Sequence, residues 1–228
     1  MMRMVAGVGS VLLGLAVVLG GSSPIPAGQA IESKSAYESD PTGWVDLLAM
    51  DSKLANWKRV PVGKKGTDTT WAVVADGKIL RCNGVGVHEM LLWAEELTDC
   101  IFHVEWRFEP LPDLKKAGYN SGVYIRNSAD GQIWHQAQVG ANVGQLFGRT
   151  LLDGQPKQFN VKHKAPNRGK AIGEWNVYEL TAKGPTLTLW VNGAETARLE
   201  KTEVLKGHIG LEAEGYVIEF RNLLLKRL

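Results

Sequence analysis

Two glutamates near the end of the chain have the spacing of a paired-carboxylate site. Glu212 and Glu214 lie in a run from residue 207 to residue 214 in which polar and apolar residues alternate. A β-strand with this alternation places His208, Glu212 and Glu214 on its polar face, with the two carboxylates about 7 Å apart. Carboxylates this close raise each other's proton affinity, so the pair could act as a general base or supply oxygen ligands to a divalent metal. The alternative interpretation is a pair of solvated glutamates at a sheet edge.

A second group of polar and aromatic residues lies between residues 120 and 139. This segment predicts two strands joined by a turn at residues 127–131, where turn-forming residues cluster. Strand alternation places on one face the residues Asn120, Tyr124, Arg126, Trp134, Gln136 and Gln138. Flat rings stack on the C–H face of a pyranose, and amides and guanidinium groups pair with its hydroxyls. The pattern therefore predicts a sugar-binding surface, and the alternative is an exposed sheet face that is merely polar.

The sequence also predicts where two histidines and a third glutamate lie. His135 alternates with the apolar residues of its strand, which predicts a buried, hydrogen-bonded histidine rather than a ligand. His103 belongs to the alternating run from residue 102 to 108 and is predicted to face solvent. Glu174 directly follows a glycine-rich segment, residues 140–173, and could reach the rim of the sugar surface. That segment is predicted as a long irregular loop, either a lid over the site or a solvated basic loop.

The elements that must position these side chains are short strands. From residue 43 onward, β-like runs alternate with glycine-containing turns, and no long segment has apolar residues at helical spacing. This pattern predicts an all-β fold, a two-sheet antiparallel β-sandwich of the jelly-roll type, over residues 43–228. The first and last strands are expected to pair and so close an edge. The polar residues 31–42 are predicted to form a linker or exposed arm.

Residues 1–30 are predicted to form a secretory signal peptide. A basic start is followed by an uncharged apolar run and by small residues before a cleavage position after Ala30. A signal-anchor helix is the alternative, because the run approaches the ~20 residues that span a bilayer. Cleavage would give a secreted or periplasmic bacterial protein with no membrane span in the mature chain. In that oxidising compartment Cys82 and Cys100 either form a disulfide or remain two buried thiols.

Charge and missing motifs exclude several functions. The formal net charge is +2, from 26 basic and 24 acidic residues, which argues against a nucleic-acid partner. The sequence contains no Glu-x-Asp-x-x-Glu run, no Gly-x-Ser-x-Gly elbow, no His-Glu-x-x-His motif and no phosphate loop. An ordinary retaining glycosidase mechanism therefore has no support in the sequence.

Six segments, taken in order, resemble the 3-keto-disaccharide hydrolase domain family. They are WVDLL, LLWAEELTDCIFHVEWRF, NSGVYIR, WHQAQ, GEWNVYELTAKGPTLTLWVNG and GHIGLEAEGYVIEFRNLLLKRL. The resemblance covers residues 43–228. It implies a secreted protein with the concanavalin A-like lectin/glucanase sandwich that cleaves glycosides already oxidised at C3.

The implied reaction needs a base rather than a nucleophile and acid pair. A C3 ketone acidifies the C2 proton, so a base can abstract it, an electrophile can stabilise the enolate, the C1 group can leave, and water can add back. Glu212 is the first candidate base, with Glu214 or His208 as substitutes. The groups expected to hold the enolate, the hydroxyls and the sugar ring are Arg126, Asn120, Gln138, Trp134 and Tyr124. A divalent metal could do the work of the electrophile, although the sequence shows no clear ligand set.

Two positions depart from the family pattern. Gln136-Ala137-Gln138 stands where members commonly have Glu-x-Gln, and Glu212 and Glu214 stand where members commonly have Gln and His. Because Gln136 cannot act as a base, either the catalytic carboxylate lies on the neighbouring strand or the chain binds sugars without cleaving them. A non-catalytic carbohydrate-binding domain is therefore the alternative function, and a structural or partner-binding module of the cell envelope is a third.

Overall fold

The computed structural model describes residues 32–63, 70–84, 88–112, 118–161, 163 and 166–228. Within these residues the chain forms two short helices, α1 (Ala36–Ser39) and α2 (Leu47–Met50). The strands in the same residues are β1 (Val45–Asp46), β2 (Trp57–Pro61), β3 (Trp71–Val74), β4 (Ile79–Cys82), β5 (Glu89–Trp93), β6 (Cys100–Phe108), β7 (Asn120–Asn127), β8 (Trp134–Gly140), β9 (Leu146–Leu152), β10 (Gln155–Val161), β11 (Asn176–Lys183), β12 (Thr186–Val191), β13 (Ala194–Leu199), β14 (His208–Ala213) and β15 (Ile218–Arg227). The predicted signal peptide, residues 1–30, lies outside the described residues.

The described strands form two antiparallel sheets. The first sheet has the order β13-β12-β11-β6-β15-β4-β3, and β1 also pairs with β15. The second sheet has the order β10-β9-β8-β7-β14-β5-β2. The predicted all-β antiparallel sandwich is confirmed, and so is the pairing of the first strand with the last.

A single apolar core lies between the two sheets. Alternate residues of each strand point inward, so that Val123 and Ile125 of β7 meet Phe102 and Val104 of β6 in one buried cluster. The opposite face of the second sheet carries a smaller buried group, made of Met90, Leu92 and Tyr124. The polar side chains that share a face of the second sheet with Tyr124 therefore lie on its outer face, away from the core.

The strand pair predicted between residues 120 and 139 is present as β7 and β8. The prediction of a long irregular loop over residues 140–173 is wrong, because β9 and β10 occupy much of this segment. These strands are joined by Asp153 and Gly154, whose φ angles of 53° and 66° are both positive. Two positive φ angles are the conformation of a type I′ turn, which Asp-Gly favours in tight hairpins. The Asp153-Gly154 pair in the sequence was therefore a signal for this hairpin.

The segment predicted as a linker or exposed arm packs on the outer face of the first sheet. The Glu179 carboxylate accepts hydrogen bonds from the Ala36 and Tyr37 backbone N–H groups, at 2.5 and 2.9 Å, and lies 2.8 Å from His103 Nδ1. The rings of Tyr37 and Trp44 cover His103. His103 is therefore buried, and the prediction that it faces solvent is wrong because another segment covers its face of the sheet.

The two cysteines are free and buried. Cys82 pairs with Ile218 and Cys100 pairs with Arg227 of the same strand, β15. At ~3.3 Å per residue, roughly 30 Å of strand separates the two pairing positions, far beyond the reach of a disulfide. Among the described residues, none of the helices is both long enough and apolar enough to cross a membrane.

Candidate functional site

The centre of the site is Glu212 on β14. One carboxylate oxygen, Oε1, accepts a hydrogen bond from the Tyr124 hydroxyl at 2.5 Å and lies 2.5 Å from His88 Nε2. The other oxygen, Oε2, accepts a hydrogen bond from the Gln136 side-chain amide at 2.7 Å. Glu212 is only 1% exposed. Three polar groups on three different strands or strand ends therefore fix the orientation of one buried carboxylate.

A glycine makes the contact between Gln136 and Glu212 feasible. Strand β7 runs between β8, which carries Gln136, and β14, which carries Glu212. Gln136 must therefore reach across β7, and it crosses at Gly122. A Cβ atom at Gly122 would lie 2.5 Å from Nε2 of Gln136. The hydrogen of glycine leaves room that any other side chain would fill.

Glu214 lies on the same face and is only partly covered. Its Oε2 accepts a hydrogen bond from the Asn120 amide at 2.5 Å, and the Asn120 carbonyl oxygen in turn accepts one from the Gln138 amide at 2.6 Å. Partial burial, followed by the charge of Glu212, raises the pKa of the Glu214 carboxyl above its ordinary value. Glu214 is therefore an accessible carboxylate with an increased affinity for protons.

His88 is a further residue of the site, and it was not among the residues predicted from the sequence. This residue precedes β5, and its hydrogen bond to Glu212 is the main cause that raises the pKa of its imidazole. Met90 pairs with Glu212, so a residue two positions before Met90 lies on the same face and diagonal to that carboxylate. Extending the alternation of Met90 and Leu92 backward by two residues would have placed His88 at the site.

One group of side chains in the described part of the chain has the chemistry of a divalent-metal site. Ligand atoms of His88, Glu212 and Glu214 all lie within 4.8 Å of one another. One imidazole nitrogen and two carboxylates form a mixed donor set that suits first-row divalent ions. Partial exposure of His88 and Glu214 leaves a path for an ion to enter.

Aromatic residues border the carboxylates. Tyr124 is buried, and burial together with the nearby Glu212 charge raises the pKa of its hydroxyl well above the ordinary value, so that it stays a hydrogen-bond donor. Trp134 is partly buried and packs against the apolar group that contains Tyr124. The structure thus brings together seven of the predicted residues, which are Asn120, Tyr124, Trp134, Gln136, Gln138, Glu212 and Glu214.

Arg126 and His208 do not join this cluster. Between β7 and β14 the register shifts, because two residues of β7, Ile125 and Arg126, oppose the single residue Ile209 of β14. Arg126 lies in this bulge with a φ of 51°, and its guanidinium bonds Asp99 and the Gly184 carbonyl instead. His208 keeps its face but lies four residues from Glu212, about 13 Å along the strand, and its Nδ1 lies 2.8 Å from the Trp93 carbonyl oxygen. The shared-face prediction for Arg126 is wrong because strand alternation does not continue through a bulge.

Glu174 and His135 also lie apart from the carboxylates. Glu174 is exposed in the turn before β11, where it accepts a hydrogen bond from the Ala171 backbone N–H. His135 is buried, with its Nε2 atom 2.9 Å from the Thr150 hydroxyl and its Nδ1 atom 3.2 Å from the Ile125 carbonyl oxygen. The prediction that His135 is a buried, hydrogen-bonded histidine is confirmed.

The fold and the site define a class, antiparallel β-sandwiches with a polar, aromatic-bordered cluster on the outer face of one sheet. The carbohydrate-binding module CBM66 from Bacillus subtilis has this fold, with 14% identity, a TM-score of 0.52, and coverage of 75% of this chain and 95% of that chain. A protein assigned to the glycosyl hydrolases from Parabacteroides distasonis has it too, with 16% identity, a TM-score of 0.55, and coverage of 86% and 99%.

The chain belongs to a carbohydrate-active family within this class, the 3-keto-alpha-glucoside-1,2-lyase-like domain family. The model of that family matches residues 43–226. The family resemblance found in the sequence is confirmed. A comparison with curated protein sequences gives no match.

Proposed function

We propose that this protein cleaves 3-keto-glycosides by removing the C2 proton. The observation that carries this proposal is the pair of carboxylates on β14, one buried and fully hydrogen-bonded and one partly exposed. The family supports it, since this is the family of 3-keto-alpha-glucoside-1,2-lyase-like domains.

The reaction balances without a covalent enzyme intermediate. A base takes the C2 proton, and the electrons of the C–H bond form an enolate with the C3 carbonyl. The enolate then returns to the ketone, a C1–C2 double bond forms, and the bond from C1 to the leaving oxygen breaks, with that oxygen taking up a proton. Addition of water across the double bond returns a hydroxyl to C1 and a proton to C2. The net result is hydrolysis.

Glu214 is the better candidate for the base. Both oxygens of Glu212 already have hydrogen-bonding partners, and its side chain is buried. Among the residues that the structure describes, Asn120 is the one side-chain donor to Glu214, which is partly exposed, so a carboxylate oxygen remains available to a substrate. Glu212 then serves to position His88, Tyr124 and Gln136.

Stabilisation of the enolate comes from donors beside the carboxylates. The Asn120 amide has a second N–H besides the one bound to Glu214, and protonated His88 has its Nδ1–H besides the nitrogen that contacts Glu212, so both can donate to a developing oxygen charge. The Gln138 N–H groups already bind Asn120 and the Val139 carbonyl, and its side-chain oxygen can accept from a ring hydroxyl. A divalent ion held by His88 and by one oxygen each of Glu212 and Glu214 would supply Lewis-acid stabilisation of the same charge and would leave the other oxygen of Glu214 to take the C2 proton. Trp134, at the border of the site, provides a surface for the sugar ring.

The test is turnover of a panel of 3-keto-glucosides and their unoxidised parents. Wild type is expected to cleave only the keto sugars, and Glu214→Gln is expected to reduce kcat at least a hundredfold, since general-base catalysis contributes about 10²–10⁴-fold. Glu195→Gln, which changes a surface glutamate paired with Arg198 on the other sheet, is the matched control and should keep wild-type rates. A chelator arm, followed by addition of Mn²⁺ or Zn²⁺, tests the metal site. Absence of turnover for every keto sugar would contradict the proposal.

A second candidate function is carbohydrate binding without cleavage. The family resemblance of the sequence implies a carboxylate where this chain has Gln136, and the fold is shared with a carbohydrate-binding module. Saturable binding of unoxidised glycans that is lost in Trp134→Ala, together with no turnover of keto sugars, would support this alternative.

We also propose that the protein acts outside the cytoplasm. N-terminal sequencing of the exported chain is expected to show that the mature protein starts at Ile31, directly after Ala30.

A further inference from the structure

The face that carries the carboxylates continues across β8, β9 and β10. Gln136, which bonds Glu212, pairs with Phe147 on β9, and Phe147 pairs with Asn160 on β10. Directly paired residues lie on the same face of a sheet. A row of side chains therefore leads from Glu212 outward, and β10 lies about 10 Å from β8 at ~4.8 Å per strand. This row extends beyond the space that one sugar at Glu214 would occupy.

A parallel row lies two residues further along the same strands. Trp134 pairs with Arg149, and Arg149 pairs with Gln158. Between the two rows is a depression of about 390 Å³, lined by Trp134, Phe147, Gly148, Gln158, Phe159 and Asn160. That volume falls within the ~300–1,000 Å³ typical of small-molecule sites.

The lining has the chemistry that recognises a neutral sugar. Trp134 and Phe147 meet edge to face, with ring centroids 5.3 Å apart, and both are only partly buried. Gln158 and Asn160 are exposed. The side-chain oxygen of Asn160 accepts a hydrogen bond from the side-chain amide of Gln145 at 2.9 Å. Because that bond fixes the Asn160 amide, its NH₂ group is held as a donor for a ligand. Aromatic rings combined with amide donors suit the C–H faces and hydroxyls of a pyranose.

We propose that Phe147, Gln158 and Asn160, with Trp134 at the boundary, form a second sugar subsite. This inference rests on the proposed function. The subsite takes the leaving-group sugar, which is the unit attached at C1 of the keto sugar. The protein would accordingly prefer keto-disaccharides and longer keto-glycosides to keto-glycosides with a small leaving group.

The test compares a 3-keto-disaccharide with methyl 3-keto-glucoside in wild type, Phe147→Ala and Asn160→Ala. The ratio of the two kcat/KM values is expected to fall about tenfold in Phe147→Ala and severalfold in Asn160→Ala. Asn160 is exposed, so its variant is expected to fold even if Phe147→Ala does not. The control is Trp190→Ala, which removes an aromatic ring beside a depression of about 450 Å³ on the other sheet and should leave the ratio unchanged. A ratio unchanged in both subsite variants would overturn the subsite.

A separate measurement keeps the subsite testable if no keto sugar is cleaved. Calorimetric titration with the unoxidised disaccharide is expected to show binding to wild type and to Trp190→Ala, and at least tenfold weaker binding to Phe147→Ala. That result would support the subsite even though the proposed reaction had failed. Absence of binding to wild type, or binding lost in Trp190→Ala and kept in Phe147→Ala, would overturn it.

Discussion

At the scale of single residues, a glycine controls the hydrogen bonding of the central carboxylate. Gln136 reaches Glu212 across Gly122, where a Cβ atom would lie 2.5 Å from the amide nitrogen. We expect Gly122→Ala to lower kcat/KM for 3-keto-glucosides at least tenfold and to destabilise the fold by about 1–3 kcal/mol, the usual cost of overpacking. Steady-state kinetics and urea unfolding measure the two effects.

The control for this prediction is the double variant Gly122→Ala/Gln136→Ala. Removing the Gln136 amide relieves the clash, so the free energy of unfolding should recover most of the loss while the rate stays low. Wild-type turnover by Gly122→Ala would show that the Gln136 contact has no role in activity.

A second prediction at the residue scale concerns the thiols. Burial raises the pKa of the Cys82 and Cys100 thiols to about 11. Because the thiolate is the reactive form, neither thiol should react with an aromatic disulfide reagent in the native protein at pH 8. Both should react after unfolding in urea without reductant. Absence of labelling in urea would indicate a disulfide and contradict the structure.

At the scale of elements, the segment around α1 is fixed to the first sheet by Glu179. This buried carboxylate accepts the N–H groups of Ala36 and Tyr37 and contacts buried His103. Removing the carboxylate leaves the buried groups that it pairs with unsatisfied, at a typical cost of about 1–3 kcal/mol. We therefore expect Glu179→Ala to lower the free energy of urea unfolding by about that amount.

The matched control removes a glutamate from a surface ion pair on the same sheet. Glu195 pairs with Arg198, and each side chain is about one third exposed. Exposed ion pairs typically contribute less than about 1 kcal/mol, so Glu195→Ala should have a small effect. Equal losses in the two variants would mean that the α1 segment contributes little to stability.

At the scale of the whole molecule, His135 couples stability to pH. Burial lowers the pKa of its imidazole from 6.5 to about 4 in the folded chain. Between these values the unfolded chain binds a proton and the folded chain does not, so stability is fully present above about pH 6.5 and falls as the pH drops toward 4. At about 1.4 kcal/mol per pKa unit, this group accounts for roughly 3 kcal/mol.

Urea unfolding between pH 4 and pH 7.5 measures this dependence. The variant His135→Gln can keep a hydrogen bond to Thr150 but does not titrate, so its stability should fall less steeply over the same window. Equal pH dependence in the variant and the wild type would assign the effect to other groups.

Much of the fold and part of the site followed from local patterns in the sequence. Alternation of polar and apolar residues predicted the sheets, because successive strand side chains point to opposite faces. The same rule placed Tyr124, Gln136, Gln138 and Glu212 on one face, since these residues lie in regular stretches of neighbouring strands. The family resemblance needed no structure either.

The tertiary structure decided what depends on contacts between distant segments. A bulge in β7 turned Arg126 away from the carboxylates, and residues 32–46 covered His103. The contact of His88 with Glu212 joins residues 124 positions apart, and the crossing of Gln136 over Gly122 requires β7 to lie between β8 and β14. Alternation fixes the face on which a side chain lies, but strand order and register decide which faces and residues meet.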